Sequence, residues 1–226
     1  MNWLWNNLDL VLELSVEHLR LSLPPIILGF IVSVPLGWFA YRYKLTRGLV
    51  LTLAGLLYTI PSLALFVLLP PLLGISFLSE LNVLIALTIY AVALMTRSVA
   101  DGLASVDPIV RESATAVGYS PWWRFFSVEL PLAGPVLLAG LRVVAVSTVS
   151  LVTVGVFVGV RSLGFLFTNG LQRGIIVEIV TGIVMTVVIA LILDGLLVLL
   201  GRLVLPWTRL DARARRRIPV TTAVPA

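Results

Sequence analysis

Cysteine is absent from all 226 residues, histidine and lysine occur once each, and charged side chains make up only 12%. Without thiols there are no disulfides, thiolate metal sites or cysteine nucleophiles. His18 alone cannot build a histidine-rich metal centre, so no metal is expected. The shortage of charge excludes more. Soluble domains average about 25% charged and 45–50% apolar residues, whereas 59% of this chain is apolar. So little charge cannot cover a water-facing surface of this size. The same composition excludes disorder, which needs few apolar side chains and much charge. The chain reads as a membrane protein.

Sixteen basic against eleven acidic residues leave a net charge of +5. The basic residues stand at the ends of apolar runs and in a tail with Arg213, Arg215, Arg216 and Arg217. That placement suits anionic lipid and topology, not nucleic acid. Residues 1–20 carry Asp9, Glu13 and Glu17 and lack a basic start and a small-residue cleavage site, so no cleavable signal is expected.

A bilayer core of ~30 Å needs about 20 apolar residues in a helix. Runs of that kind cover 21–41, 49–73 (interrupted by Pro61), 81 to about 100, 132–160 and 175–205. The expectation is all-α, with five transmembrane helices in one permease domain over 21–205. A short amphipathic helix over 1–20 is expected to lie at the outer surface, with Trp3 and Trp5 at headgroup depth. A basic cytoplasmic tail over 206–226 follows. Lysine and arginine concentrate on the cytoplasmic side. With the N-terminus outside, the inner segments hold Arg42, Lys44, Arg47, Arg97, Arg111, Arg124, Arg202 and Arg209, and the outer ones Arg20, Arg161 and Arg173. N-out and C-in follows.

The segment 101–131 reads as two short helices at an angle. Asp107-Pro108 is an N-cap followed by proline at the first helical position, where a missing N–H costs nothing. Ile109, Ser113, Ala116 and Val117 then share a face. Gly118 supplies a left-handed stop. Ser120-Pro121 repeats the cap for a second helix through Trp122, Trp123 and Phe126. Leu130-Pro131 is expected to end it and turn the chain back into the membrane.

Glu112-Ser113-Ala114, three residues, Gly118, nine residues, then Val128-Glu129-Leu130-Pro131 resembles the EAA loop of permease subunits of binding-protein-dependent ABC importers, with Ser113 where the motif has alanine. The resemblance runs from about Ser15 to Leu200 and is nearest the osmoprotectant branch. It rests further on Tyr58-Thr59-Ile60-Pro61-Ser62-Leu63-Ala64, Gly102-Leu103-Ala104-Ser105-Val106-Asp107-Pro108 and Ala139-Gly140-Leu141-Arg142. Where the family often has a glycine-rich turn after the fourth span, Gly159-Val160-Arg161-Ser162-Leu163-Gly164 stands here. The resemblance implies a type I permease fold in a bacterial cell membrane and import of glycine betaine, carnitine or choline. Its implied partners are ATPase subunits, an extracytoplasmic substrate-binding protein and a second permease, identical or not. Asp107, Glu112, Ser113, Ala114, Gly118, Leu130 and Pro131 would form the ATPase-coupling loop.

The chain lacks a P-loop, which needs lysine followed by serine or threonine after its glycines. Lys44 is preceded by Tyr43 and followed by Leu45. ATP would therefore be bound by a partner, and the chain itself is expected to be neither an enzyme nor the holder of a cofactor.

Charges inside spans are costly and usually paired or functional. Arg142 and Asp194 each lie about ten residues, ~15 Å, from the cytoplasmic end of a span. A structural pair and a role in substrate passage both remain open. Glu178 falls near the outer end of the last span and reads as interfacial, and His18 reads as near the surface. Ser147, Ser150 and Thr153 are candidate pathway hydroxyls, or they bond back to their own helix. A quaternary ammonium ligand favours aromatic cages, which are expected in the capture protein, and no aromatic cluster in the spans demands a high-affinity site. An ABC permease for another small solute such as an amino acid is the alternative. A secondary transporter would need mid-membrane carboxylates and inverted repeats, of which there is one carboxylate and no repeat.

Overall fold

The computed structural model describes residues 2–207, and every regular element among them is helical. The tail expected from 206, with Arg209, Arg213, Arg215, Arg216 and Arg217, lies from residue 208 on outside the described residues.

After α1 (Asn2–Asn6) comes α2 (Leu8–Arg42), 35 residues without a break and about 52 Å long. The separate surface helix expected over 1–20 is instead mostly the first turns of α2. Val11 and Leu14 are buried with Val149, Leu163, Leu166 and Ile189, so this stretch packs upright against other helices. His18, expected near the surface, is fully buried and donates through Nε2 to the Val149 carbonyl at 2.9 Å.

The second span is two helices, α3 (Lys44–Thr59) and α4 (Ser62–Leu73), meeting at 104°. Pro61 forces the break: the residue before a proline is pushed out of the helical region, and Ile60 sits at φ −64°, ψ 128°. Beyond it run α5 (Glu80–Ala104), α6 (Pro108–Ala116), α7 (Pro121–Arg124), α8 (Leu130–Val152), α9 (Gly164–Arg173) and α10 (Ile176–Val204). Four stretches are long and apolar enough to cross a membrane alone, and the bent pair makes five.

Side-chain contacts show that the bent pair runs alongside α5. Arg47 meets Asp101, the Ile60 carbonyl meets Tyr90, and the Phe66 carbonyl meets Asn82. The pair therefore travels the length of α5 in the opposite direction. In turn α2 lies parallel to α5, with Gly29 against Ala91 and Gly37 against Val99. A Cβ on Gly37 would stand 2.5 Å from Val99 Cβ, so only glycine permits this approach. Against α8, α5 is antiparallel (Gly102 at Leu137, Gly140 at Ser98), and so is α8 against α10 (Gly134 at Leu205, Gly201 at Leu138). Direction alternates through these five helical stretches, which leaves Leu8 and Val204 at opposite ends of the bundle.

Glu178 corrects another expectation. It is fully buried, not interfacial, and accepts from Asn169 Nδ2 at 2.6 Å. Hydropathy assigns the stretch before α10 to a loop, whereas α9 folds back and covers the first turns of α10.

Candidate functional site

The 101–131 segment starts where α5 leaves the bundle. Asp107 caps α6 by accepting from Ile109 N–H at 2.8 Å, with Pro108 behind it. Gly118 stops the helix at φ +99°, and Tyr119 N–H returns to the Ala114 carbonyl at 3.1 Å. That closing bond is the Schellman pattern. Ser120 then caps α7 by accepting from Trp123 N–H at 3.4 Å.

Leu130-Pro131 does not end the helix. Phe125–Glu129 forms a π-helical turn and the chain passes through it into α8 with helical angles throughout. A proline inside an α-helix clashes with the carbonyl four residues back. The wider turn removes that carbonyl from the ring's path, so Pro131 is carried instead of breaking the rod.

The same turn builds an ion pair that sequence spacing conceals. Arg124 Nε donates to Glu129 Oε1 at 2.6 Å, and its NH1 group to Thr115 Oγ1 at 2.8 Å. Positions i and i+5 lie about 140° apart on an α-helix but align in an i→i+5 turn. Glu129 is 2% exposed, so Arg124 straps α6 to the buried root of α8. Trp38 of α2 stacks on Trp122 at 6.0 Å, and Arg111 lies over the Tyr41 ring at 5.4 Å. Between these struts is a cavity of about 790 Å³ bordered by Glu112 and Arg42.

Beyond these struts much of the segment is open, and even Trp122, stacked on Trp38, keeps most of its surface exposed. Ile109, Val117, Trp122, Trp123 and Phe126 are all exposed. Glu112 and Ser113 are exposed beside them, and Ala114 is half-buried. Large apolar side chains gathered at the end of a polar-capped loop are the kind of patch that contacts a partner protein or a membrane.

Within the spans, Arg142 and Asp194 meet in bidentate fashion, Nε to Oδ1 at 2.6 Å and NH2 to Oδ2 at 2.7 Å. Their side chains are 42% and 25% exposed, so the pair sits on the flank of this chain and not in its core. The hydroxyls of α8 divide. Ser147 and Ser150 border a cavity of about 500 Å³ at the α3–α4 break. Thr153 bonds the Ser150 carbonyl at 2.7 Å and begins a 3-10 turn (Thr153–Val158). An aromatic contact absent from the sequence reading also appears there: the Tyr58 and Tyr90 rings are 5.9 Å apart at 86°. They come from α3 and α5, and no local pattern links them. Among the described residues no cluster of metal-ligating side chains occurs.

The family model described as binding-protein-dependent transport system inner membrane component matches residues 26–209. The osmoprotectant import permease protein OsmW of Salmonella typhimurium is 32% identical over 87% of this chain and 93% of its own length. The glycine betaine/carnitine/choline transport system permease protein OpuCB of Bacillus subtilis is 32% identical over 91% of this chain and 94% of its own. Among solved structures, a chain of the MetNI methionine ABC transporter in inward-facing conformations aligns with a TM-score of 0.76. It is 23% identical and covers 88% of this chain and 98% of that one, a likeness of fold.

Proposed function

The chain belongs to the family of binding-protein-dependent transport system inner membrane components, and from that premise we propose that it is the permease subunit of an ATP-driven importer of small osmoprotectants. Glycine betaine, carnitine and choline are the substrates named for its relatives. ATP is bound and hydrolysed by separate subunits, capture is the task of a binding protein, and a second permease, the same or a sister chain, completes the pathway.

The exposed apolar face of 109–126 carries the reading. It is the surface an ATPase subunit would grip, with Asp107, Glu112, Ser113, Ala114 and Gly118 setting its shape and Leu130 and Pro131 joining it to α8. The partly exposed Arg142–Asp194 pair on the flank of α8 and α10 supports a permease dimer, since an ion pair on a span is costly to leave against lipid and is better covered by protein. In a complex purified with its ATPase and binding protein, glycine betaine, carnitine or choline should raise ATP hydrolysis. Glu112→Lys should reduce the ATPase retained by the permease, because it reverses a charge on the gripped surface. Stimulation by a different solute alone would overturn the substrate, and full retention of the ATPase by Glu112→Lys would overturn the surface.

The arginine distribution further supports N-out and C-in. A reporter fused after Ala226 should be cytoplasmic and one inserted near Ser76 external, read by paired alkaline phosphatase and fluorescent-protein fusions. The reverse pattern would overturn the orientation.

A further inference from the structure

We propose that the cavity at the α3–α4 break is a passage site for quaternary ammonium groups, with Tyr58 and Tyr90 as its recognition surface. The proposal rests on the osmoprotectant reading and deepens it to named residues. The cavity, about 500 Å³, is bordered by hydroxyls from four helices: Tyr58 and Thr59 of α3, Ser62 of α4, Tyr90 of α5, and Ser147 and Ser150 of α8. None of its lining residues is an acid or a base. It stands near mid-depth, since Tyr90 is ten residues, about 15 Å, along α5.

Among the described residues, Tyr58, Ser147 and Ser150 make no side-chain hydrogen bond. Lipid offers such hydroxyls no partner, so this recess faces water or protein. Tyr90 is 3% exposed and its hydroxyl donates to the Ile60 carbonyl, which locks the ring in place. Tyr58 is 44% exposed and its ring stands perpendicular to that of Tyr90. One fixed and one open ring make two walls of a corner.

That chemistry selects among cations. A primary ammonium needs hydrogen-bond acceptors to replace its water, and no carboxylate is present to help. A quaternary ammonium has no N–H to satisfy and is attracted by aromatic faces. A betaine is also neutral overall, so an uncharged cavity holds it without burying net charge. Serine hydroxyls nearby can donate to its carboxylate.

The test uses the permease reconstituted with its ATPase and binding protein in liposomes, with radiolabelled choline and glycine betaine as probes at saturating concentration. Tyr58→Leu keeps an apolar side chain at an exposed position. It should lower uptake about threefold to thirtyfold, the range expected for losing one cation–π contact. ATP hydrolysis stimulated by the loaded binding protein should stay near wild type, and Tyr58→Phe, which keeps the ring face, should transport normally. Wild-type uptake by Tyr58→Leu, or a loss in Tyr58→Phe equal to that in Tyr58→Leu, would overturn the site while leaving the importer reading intact. A wild-type complex that carries neither probe while carrying another solute overturns the substrate reading and this site with it.

Discussion

Asp194→Asn alone should cut the amount of folded permease in the membrane severalfold, and adding Arg142→Gln should restore much of it. The two charges occupy the seam where α8 and α10 run antiparallel. Gly134 faces Leu205 and Leu138 faces Gly201, so one further turn along each helix brings residue 142 level with Leu197, and the long arginine side chain covers the remaining turn to Asp194. The bidentate bonds at 2.6 and 2.7 Å hold each charge against its partner in apolar surroundings. Removing one member strands the other, whereas removing both removes the problem. Quantifying folded protein by detergent size-exclusion chromatography for both singles and the double checks this. A double variant that folds and transports makes the pair structural. One that folds without transporting assigns a charge to the pathway. Wild-type amounts of both single variants would sink the idea.

Gly118→Val should abolish most transport while leaving the permease in the membrane at near-normal amounts. At φ +99° an added Cβ meets no atom within 4 Å, so the penalty is not crowding. It is torsional: a β-branched residue in the left-handed region costs about 1–3 kcal/mol. The α6 stop would then shift, and the Ser120 cap and the exposed Trp123 with it. No described residue of α6 or α7 is buried, which is why assembly of the bundle should not suffer. Gly118→Asn, tolerant of that angle, should retain much of the activity. Uptake assays with immunoblotting of membranes separate the two effects, and normal uptake by Gly118→Val would refute the role of the stop.

Those two sites were legible to different degrees. The caps at Asp107-Pro108, Gly118 and Ser120-Pro121 are written in adjacent residues, because capping is a local hydrogen-bond problem. The level of Arg142 and Asp194 could be counted from span ends, but their rotation about the helix axes came only with packing. Pro61 announced a bend and not its 104°, since the angle depends on what α4 packs against. The Arg124–Glu129 strap was concealed because a π turn changes which positions align. Pro131 was misread for the same reason, as a stop in place of a passage. Glu178 was misplaced because α9 is too short to register as a span yet long enough to cover it. Tyr58 and Tyr90 meet only because α3 climbs along α5.

The unbroken helical path from Pro121 to Val158 bears on how force would cross the membrane. A flexible connection would absorb a push as slack; a rod with a single wide turn near its base behaves as a stiff pointer on a pivot. From that turn to Ser150 is about 22 residues, or ~33 Å. A tilt of about 5° at the pivot therefore swings the Ser150 end by about 3 Å, enough to change the width of a passage for a small solute. Amplification of this kind needs no large excursion at the surface, and a stroke of an ångström or less at Trp122 suffices to be felt at the centre of the bilayer.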